Sequence, residues 1–267
     1  MRHLRWPLIG FEFGQFMKGV TPRAKRTRYP IRHLRYWFAS SALADLHDQL
    51  KRPLRILEVG VDNGDMLCFM GGRKIGEGKL ALPEWIERWD GLDVKIEPDV
   101  LDRYSYSDFI EADIEASGDW HHNRRYDAII VIHILEHLLD PEGALHRLVA
   151  LVEPGGILMG GSPTMPSFLA WLHEPQLRRK NAGNMHDVTV HKHLSVITPR
   201  RIRRFCRVEN MELTLLAGAF FIRSSGSPLE NSALWTRANL LWGGLFPALG
   251  GELYFSIARP SEKLIST

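Results

Sequence analysis

The chain has only two cysteines in 267 residues, Cys68 and Cys206. Two thiols cannot build a disulfide framework or a cysteine-type zinc site. Each suits the role of a small buried hydrophobe, and the scarcity points to a reducing, cytoplasmic compartment. Long apolar runs are missing as well. Residues 240–257 come nearest, but glycines, Pro247 and Glu252 interrupt them, so no segment supplies the roughly 18 uninterrupted apolar residues of a membrane span. The basic N-terminus lacks a clean apolar stretch and a small-residue cleavage site, so no signal peptide is expected. Excess charge is small too. A formal net charge of +3 gives weak grounds for a nucleic-acid partner. No internal repeat or low-complexity tract is present.

What charge there is sits unevenly. Arg2, Arg5, Lys18, Arg23, Lys25, Arg26, Arg28, Arg32 and Arg35 face a single acid, Glu12, in the first part of the chain. Residues 1–50 therefore read as a basic, aromatic segment ending in an amphipathic helix over 31–50, a lid or substrate-side element. Residues 51–267 read as one domain, with an insertion at about 164–198.

Within that domain, apolar runs predict strands at 54–59, 89–94, 107–112, 126–132 and 156–160. The run Y-D-A-I-I-V-I at 126–132 is apolar and β-branched almost throughout, as a buried parallel strand requires. Helical patterns fall at 65–70, 141–152 and 199–208, with Pro141 at a first-turn position. Residues 71–84 and 164–198 read as loops, and Pro154-Gly155-Gly156 as a turn. Two late strands, 212–221 and 252–258, are separated by a Gly- and Pro-containing stretch. The expectation is an α/β fold: a doubly wound, mostly parallel seven-stranded sheet, an antiparallel C-terminal edge pair, and helices on both faces. Ligands on such sheets bind at the carboxyl ends of the strands. Glu58, Gly60, Asp93, Asp113 and His133 all fall at those ends.

Residues 55–64 read R-I-L-E-V-G-V-D-N-G, a buried strand carrying an acid and feeding a glycine-spaced turn. Glycine lets backbone N–H groups come close to a ligand. Here the chain resembles the class I S-adenosylmethionine-dependent methyltransferases, over roughly residues 55–164 and more loosely along the C-terminal edge strands. The family's acid-x-Gly-x-Gly-x-Gly turn corresponds to Glu58-Val59-Gly60-Val61-Asp62-Asn63-Gly64. Asp93 matches its acid after strand two, and Asp113 its acid after strand three. The segments Y-D-A-I-I-V-I-H-I-L-E-H-L-L-D-P and V-E-P-G-G-I-L follow in family order. The resemblance implies S-adenosyl-L-methionine as cofactor. Gly60 and Gly64 would admit its amino-acid tail and ribose. Asp93, with Val94 beside it, would hold the ribose hydroxyls, and Asp113 and Ile114 the adenine. Glu58 would orient the loop or the ligand's ammonium, and His133 joins these residues at the exit of strand four. Asp62 departs from the pattern: it stands where the family has its middle glycine.

His133-Ile134-Leu135-Glu136-His137 also matches the H-x-x-E-H pattern of a zinc-peptidase class, but it follows a buried strand instead of lying on a helix. Ubiquinone-pathway O-methyltransferases carry E-x-x-E-H here, linked to a divalent metal, and His133 replaces the first acid. A metal role for Glu136 and His137 and a structural or substrate-facing role both remain open. His186, His191 and His193 lie where the family's substrate-side loop falls. An acceptor hydroxyl calls for a base near neutral pH, so His193, His191 and His137 are the candidate catalytic residues.

The expected reaction is methyl transfer to oxygen of a small-molecule, sugar or lipid-linked acceptor, with no base-binding signature for nucleic acid. Peripheral membrane contact is open to the basic N-terminal segment and to the apolar stretch 240–249, which otherwise reads as core. Two alternatives stand beside this reading. An NAD-dependent oxidoreductase would show G-x-G-x-x-G, which is absent. A non-catalytic methyltransferase-like binding module is kept open by Asp62.

Overall fold

The computed structural model describes residues 34–70, 74–75, 79–116, 124–185, 187, 192–219 and 233–261. Helix α1 (Leu34–Leu50) precedes β1 (Leu54–Val59), the short α2 (Asp65–Phe69) and a small antiparallel pair, β2 (Lys74–Ile75) and β3 (Lys79–Leu80). Then come β4 (Ile86–Asp93), α3 (Pro98–Arg103), β5 (Asp108–Glu111) and β6 (Tyr126–Ile132). They are followed by α4 (Pro141–Ala150), β7 (Val152–Pro163), α5 (Ser167–Lys180), α6 (Pro199–Val208), β8 (Glu212–Ala219), α7 (Ala233–Leu245) and β9 (Glu252–Ala258).

Seven strands form one sheet in the order β5-β4-β1-β6-β7-β9-β8. The first five are parallel, and β9 runs antiparallel to both β7 and β8. This is the expected architecture, antiparallel edge included. Alternation along β1 explains the layering. Leu54 and Ile56 join the core under α1, with Phe38, Leu43 and Trp89. Leu57 and Val59 join the core on the opposite face, with Leu145 and Leu148 of α4 and Ile202 and Phe205 of α6. Glu58 shares the α1 face. Cys206 is buried in the second core, as expected of it.

Local chemistry sets the element ends. The Asp140 side chain caps α4 by accepting from Gly143 N, with Pro141 in the first turn. Thr198 caps α6 in the same way through Arg201 N. At the amino end of β6, buried Asp127 gathers Arg52 and Arg55.

Several local expectations need correcting. Pro154-Gly155-Gly156 is not a turn between helix and strand. It is a bulge inside the longer β7, where the register with β6 shifts and Gly155 takes φ 82. Residues 71–84 are not wholly loop, since they hold β2 and β3. Residues 164–198 hold the 14-residue α5. Its apolar residues spread around the helix and Pro175 lies inside it, so no single apolar stripe marks it in the sequence. The stretch 240–249 is only half core: Leu240 is buried, but Leu241, Leu245, Phe246 and Leu249 are exposed. No helix among the described residues is long and apolar enough to cross a membrane.

Candidate active site

A cavity of about 960 Å³ opens at the carboxyl ends of β1, β4, β5 and β6. Its floor begins with the β1–α2 turn. Gly60 has φ 78, and a Cβ there would come within 2.0 Å of the Ile134 side chain. Gly64 has φ 69, and a Cβ would come within 2.6 Å of the Tyr104 ring. Both positions therefore demand glycine, for backbone angle and for space. Gly60 borders the cavity, whereas Gly64 packs under Tyr104 and shapes the turn from behind.

Asp62 accommodates the third special position with φ 45, a left-handed angle that aspartate tolerates better than most residues. Its N–H donates to Asp93 Oδ2 at 3.1 Å, and its own exposed carboxylate accepts from Asn63 Nδ2 at 2.7 Å. Gly60 N–H donates to Leu92 O at 2.8 Å, which laces the loop to β4 a second time. Asp93 and Val94 line the cavity beside this loop. Asp113 and Ile114 line its far end, where Asp113 Oδ1 accepts from Glu115 N at 2.8 Å and Ile114 is buried.

Glu58 is 4% exposed, and its Oε2 accepts from Trp89 Nε1 at 2.8 Å and from the Tyr106 hydroxyl at 2.9 Å. Burial pushes its pKa up to about 8, against the pull of those two donors. The expected partner of this buried acid is thus a pair of neutral aromatic donors and not a cation. Sequence reading missed Trp89 and Tyr106. It also missed Arg35 and Tyr36, which bring α1 to the cavity wall. Tyr36 is held in its neutral form, chiefly by burial.

On the opposite side, β6 ends at His133, which takes φ 57 and donates its N–H to Gly161 O at 2.7 Å. A single 3-10 turn over Leu135–His137 follows. Glu136 is 1% exposed, and its Oε2 accepts from Ser162 Oγ at 3.0 Å. Its Oε1 lies 3.1 Å from His133 Nδ1 yet makes no aligned hydrogen bond. Burial works to raise the Glu136 pKa, but the His133 imidazole and nearby donors outweigh it and hold the carboxyl below the usual glutamate range. The backbone carbonyl of Glu136 accepts from Leu194 N and Ser195 N, which pins residues 192–195 against the turn. His137 Nδ1 meets Lys192 O in a short hydrogen bond. A carbonyl only accepts, so this contact puts the proton on Nδ1 and makes Nε2 the accepting nitrogen. The His137 and His193 rings lie 5.0 Å apart, edge to face. Glu136, His137 and His193 each offer a ligating atom, all within 4.8 Å of one another. His191 and His186 lie outside the described residues.

The cavity thus has a glycine-turn side bearing acids that can hold hydroxyl and amino groups, and a side bearing imidazoles and a carboxylate. Comparison with known proteins identifies relatives of the chain and of its fold. A curated relative, the ubiquinone biosynthesis O-methyltransferase of Azoarcus sp. (strain BH72), is 26% identical over 196 residues, covering 69% of this chain and 80% of the relative. Among solved structures, the plantazolicin methyltransferase BamL, in complex with a triazolic desmethylPZN analog and SAH, superposes with a TM-score of 0.51 at 13% identity. It covers 88% of this chain and 86% of its own. The plantazolicin methyltransferase BpumL, with a pentazolic desmethylPZN analog and SAH, gives 0.50 at 16% identity, covering 88% and 87%. The sequence pattern of the methyltransferase-domain family matches residues 31–216, from α1 into β8. The chain belongs to that family and is a class I methyltransferase whose methyl donor is S-adenosyl-L-methionine.

Proposed function

We propose that this enzyme methylates an oxygen of a small-molecule, glycan- or lipid-linked acceptor seated between the glycine turn and the Glu136–His137–His193 cluster. The observation that carries this reading is the cluster itself, which borders the cavity. The O-methyltransferase named above, at 26% identity, supports the same acceptor atom.

On the donor side, Asp93 takes the ribose hydroxyls, Asp113 the adenine amino group, and Ile114 the ring face. Glu58 faces the ammonium. These residues hold the sulfonium methyl in line with the acceptor, and alignment with exclusion of water supplies most of the acceleration. On the acceptor side a hydroxyl proton must leave as its oxygen bonds the methyl carbon. The methyl–sulfur bond breaks and S-adenosylhomocysteine departs. His193 takes that proton, and His137 positions the hydroxyl. The cluster also fits a divalent cation, because Glu136 Oε1 is buried without a hydrogen-bond partner beside two imidazoles. Such an ion, when bound, lowers the pKa of a coordinated hydroxyl. Glu136 and His137 would hold it, with His193 completing the set.

The test is S-adenosylhomocysteine release with phenol, sugar-hydroxyl and amine acceptors. Oxygen acceptors turn over, and His193→Ala lowers the rate by roughly 10²–10⁴ with S-adenosylhomocysteine affinity kept. Turnover with amines alone, or an unchanged rate in His193→Ala, overturns the assignment.

A further inference from the structure

Helix α5 is built inside out. Its inward positions carry Ala170, Glu174 and Arg178, and its outward positions carry large apolar side chains. Glu174 accepts from Val196 N at 3.1 Å and from Arg201 Nη1 at 3.0 Å. Arg178 donates to Leu194 O at 3.2 Å and to Leu139 O at 3.0 Å. Polar contacts therefore fasten the helix to the body. Outward, Phe168 is 68% exposed, Trp171 77% and Leu172 53%. At 3.6 residues per turn, Phe168, Leu172 and Arg179 fall along one narrow stripe, flanked about a quarter turn away by Trp171 on one side and Lys180 on the other. Arg179 and Lys180 are exposed at the helix's C-terminal end.

We propose that this face of α5 docks on an anionic membrane surface. Exposed apolar side chains that stand so far out of a folded protein mark a contact surface. A tryptophan beside a phenyl and leucine stripe that ends in Arg179, with Lys180 at the same helix end, suits the boundary between acyl chains and anionic headgroups. A second apolar patch belongs to the same end of the sheet. Leu245, Phe246 and Leu249 are exposed just before β9, and Thr164 N–H donates to Gly251 O where β7 hands over to α5. The helix is also coupled to the cavity. Val196 and Leu194, which Glu174 and Arg178 grip, follow directly on His193 at the rim. Docking of α5 would therefore hold the acceptor side of the cavity against the bilayer. The surface contact stands apart from the acceptor reading above, because it is measured without substrate.

The test is co-sedimentation of the full chain with phosphatidylcholine vesicles, with and without a third of phosphatidylglycerol. Wild type pellets with the anionic vesicles. Combined Phe168→Ser, Trp171→Ser and Leu172→Ser lowers the partition at least tenfold. Arg179→Glu with Lys180→Glu lowers it on anionic vesicles by roughly fivefold for each charge removed and leaves neutral vesicles unaffected. Unfolding midpoints and S-adenosylhomocysteine titrations of both variants should match wild type. Wild type left in the supernatant overturns the proposal, as does a triple variant that pellets like wild type. So does light scattering that shows a dimer reduced to monomers by the apolar substitutions with vesicle binding unchanged, which would assign the face to a second copy of the chain.

Discussion

The backbone N–H of Asp62 donates to the carboxylate of Asp93 across 3.1 Å. The residue that departs from the family's glycine pattern is thus tied to the acid assigned to the ribose. Asp93 holds the turn, and in the proposed arrangement it also receives the ligand. Asp93→Ala removes both, and loss of charge-assisted hydrogen bonds at about 1.5–3 kcal/mol predicts S-adenosylhomocysteine binding weaker by roughly 10- to 150-fold. Asp62→Gly keeps the N–H donor, relieves the left-handed angle and removes an exposed negative charge near the ligand's carboxylate. Binding should tighten by about two- to fivefold at low salt, since exposed charges are worth only ~0.2–1 kcal/mol. Calorimetry on the two variants checks both numbers, and a weaker Asp62→Gly would mean that its carboxylate holds the ligand.

Glu58 predicts an unusual pH response. Its folded pKa of about 8, raised chiefly by burial, lies above that of an ordinary glutamate. The folded state therefore binds a proton that the unfolded state has already released. The associated stability is fully present below the ordinary glutamate range and is lost as pH rises through about 8. Ligand-free wild type should lose on the order of 3 kcal/mol between pH 5 and 8.5 relative to Glu58→Gln, whose amide cannot ionise. Bound S-adenosylhomocysteine should flatten the curve, because its ammonium favours the carboxylate. Thermal melts across pH measure this. Parallel curves for wild type and Glu58→Gln would show that Glu58 does not titrate in this window.

Glu136 allows a test that needs no acceptor. If the Glu136–His137–His193 cluster takes a divalent cation, Glu136→Gln should weaken Mn²⁺ or Zn²⁺ binding at least tenfold and leave S-adenosylhomocysteine affinity unchanged. Titration of each ion into both proteins measures the difference. Equal ion affinities in the two proteins would remove the carboxylate from any metal role.

The architecture was legible because its strands are buried on both faces and read as short apolar runs, and because the acids of the glycine turn, strand two and strand three sit at strand exits. Asp93, Asp113 and Gly60 needed only order and spacing to be gathered into one cavity. What surrounds them did not. Trp89 and Tyr106 read as ordinary core residues, and only the fold brings both donors to Glu58. Helix α5 escaped notice because Phe168, Leu169, Trp171, Leu172 and Leu177 spread around the helix instead of forming one apolar stripe, and Pro175 lies inside it. His133 looked like a cofactor contact. It borders the cavity, but its nearest charged neighbours are Glu136 at 3.1 Å and Glu252 at 4.0 Å.

Asp127 offers a way to separate stability from function. It lies at the amino end of β6, away from the strand carboxyl ends where the cavity opens. Its carboxylate, 1% exposed, accepts from both terminal nitrogens of Arg52 and from the backbone and guanidinium of Arg55. Burial works to raise its pKa, but the arginine hydrogen bonds outweigh it and hold the carboxyl below the usual aspartate range. Asp127→Asn removes the charge, which leaves Arg52 without this anion and Arg55 with Glu153. The arginine heads are 45% and 29% exposed and can turn partly to water. The cost should therefore sit near the low end of buried-pair losses, about 3 kcal/mol. Arg52→Ala, the more exposed partner, should cost only about 1 kcal/mol. A depressed folded pKa contributes stability that is present above the ordinary aspartate range and is lost as pH falls through the lowered value. Asp127→Asn should accordingly flatten the acid limb of the stability curve. Because none of these groups borders the cavity, S-adenosylhomocysteine affinity of the folded variant should equal that of wild type. Denaturant melts at pH 3–7 beside calorimetry at pH 7 measure the two separately, and a loss of affinity in a fully folded Asp127→Asn would mean that the β1–β6 register at the base of the sheet sets the glycine turn at its top.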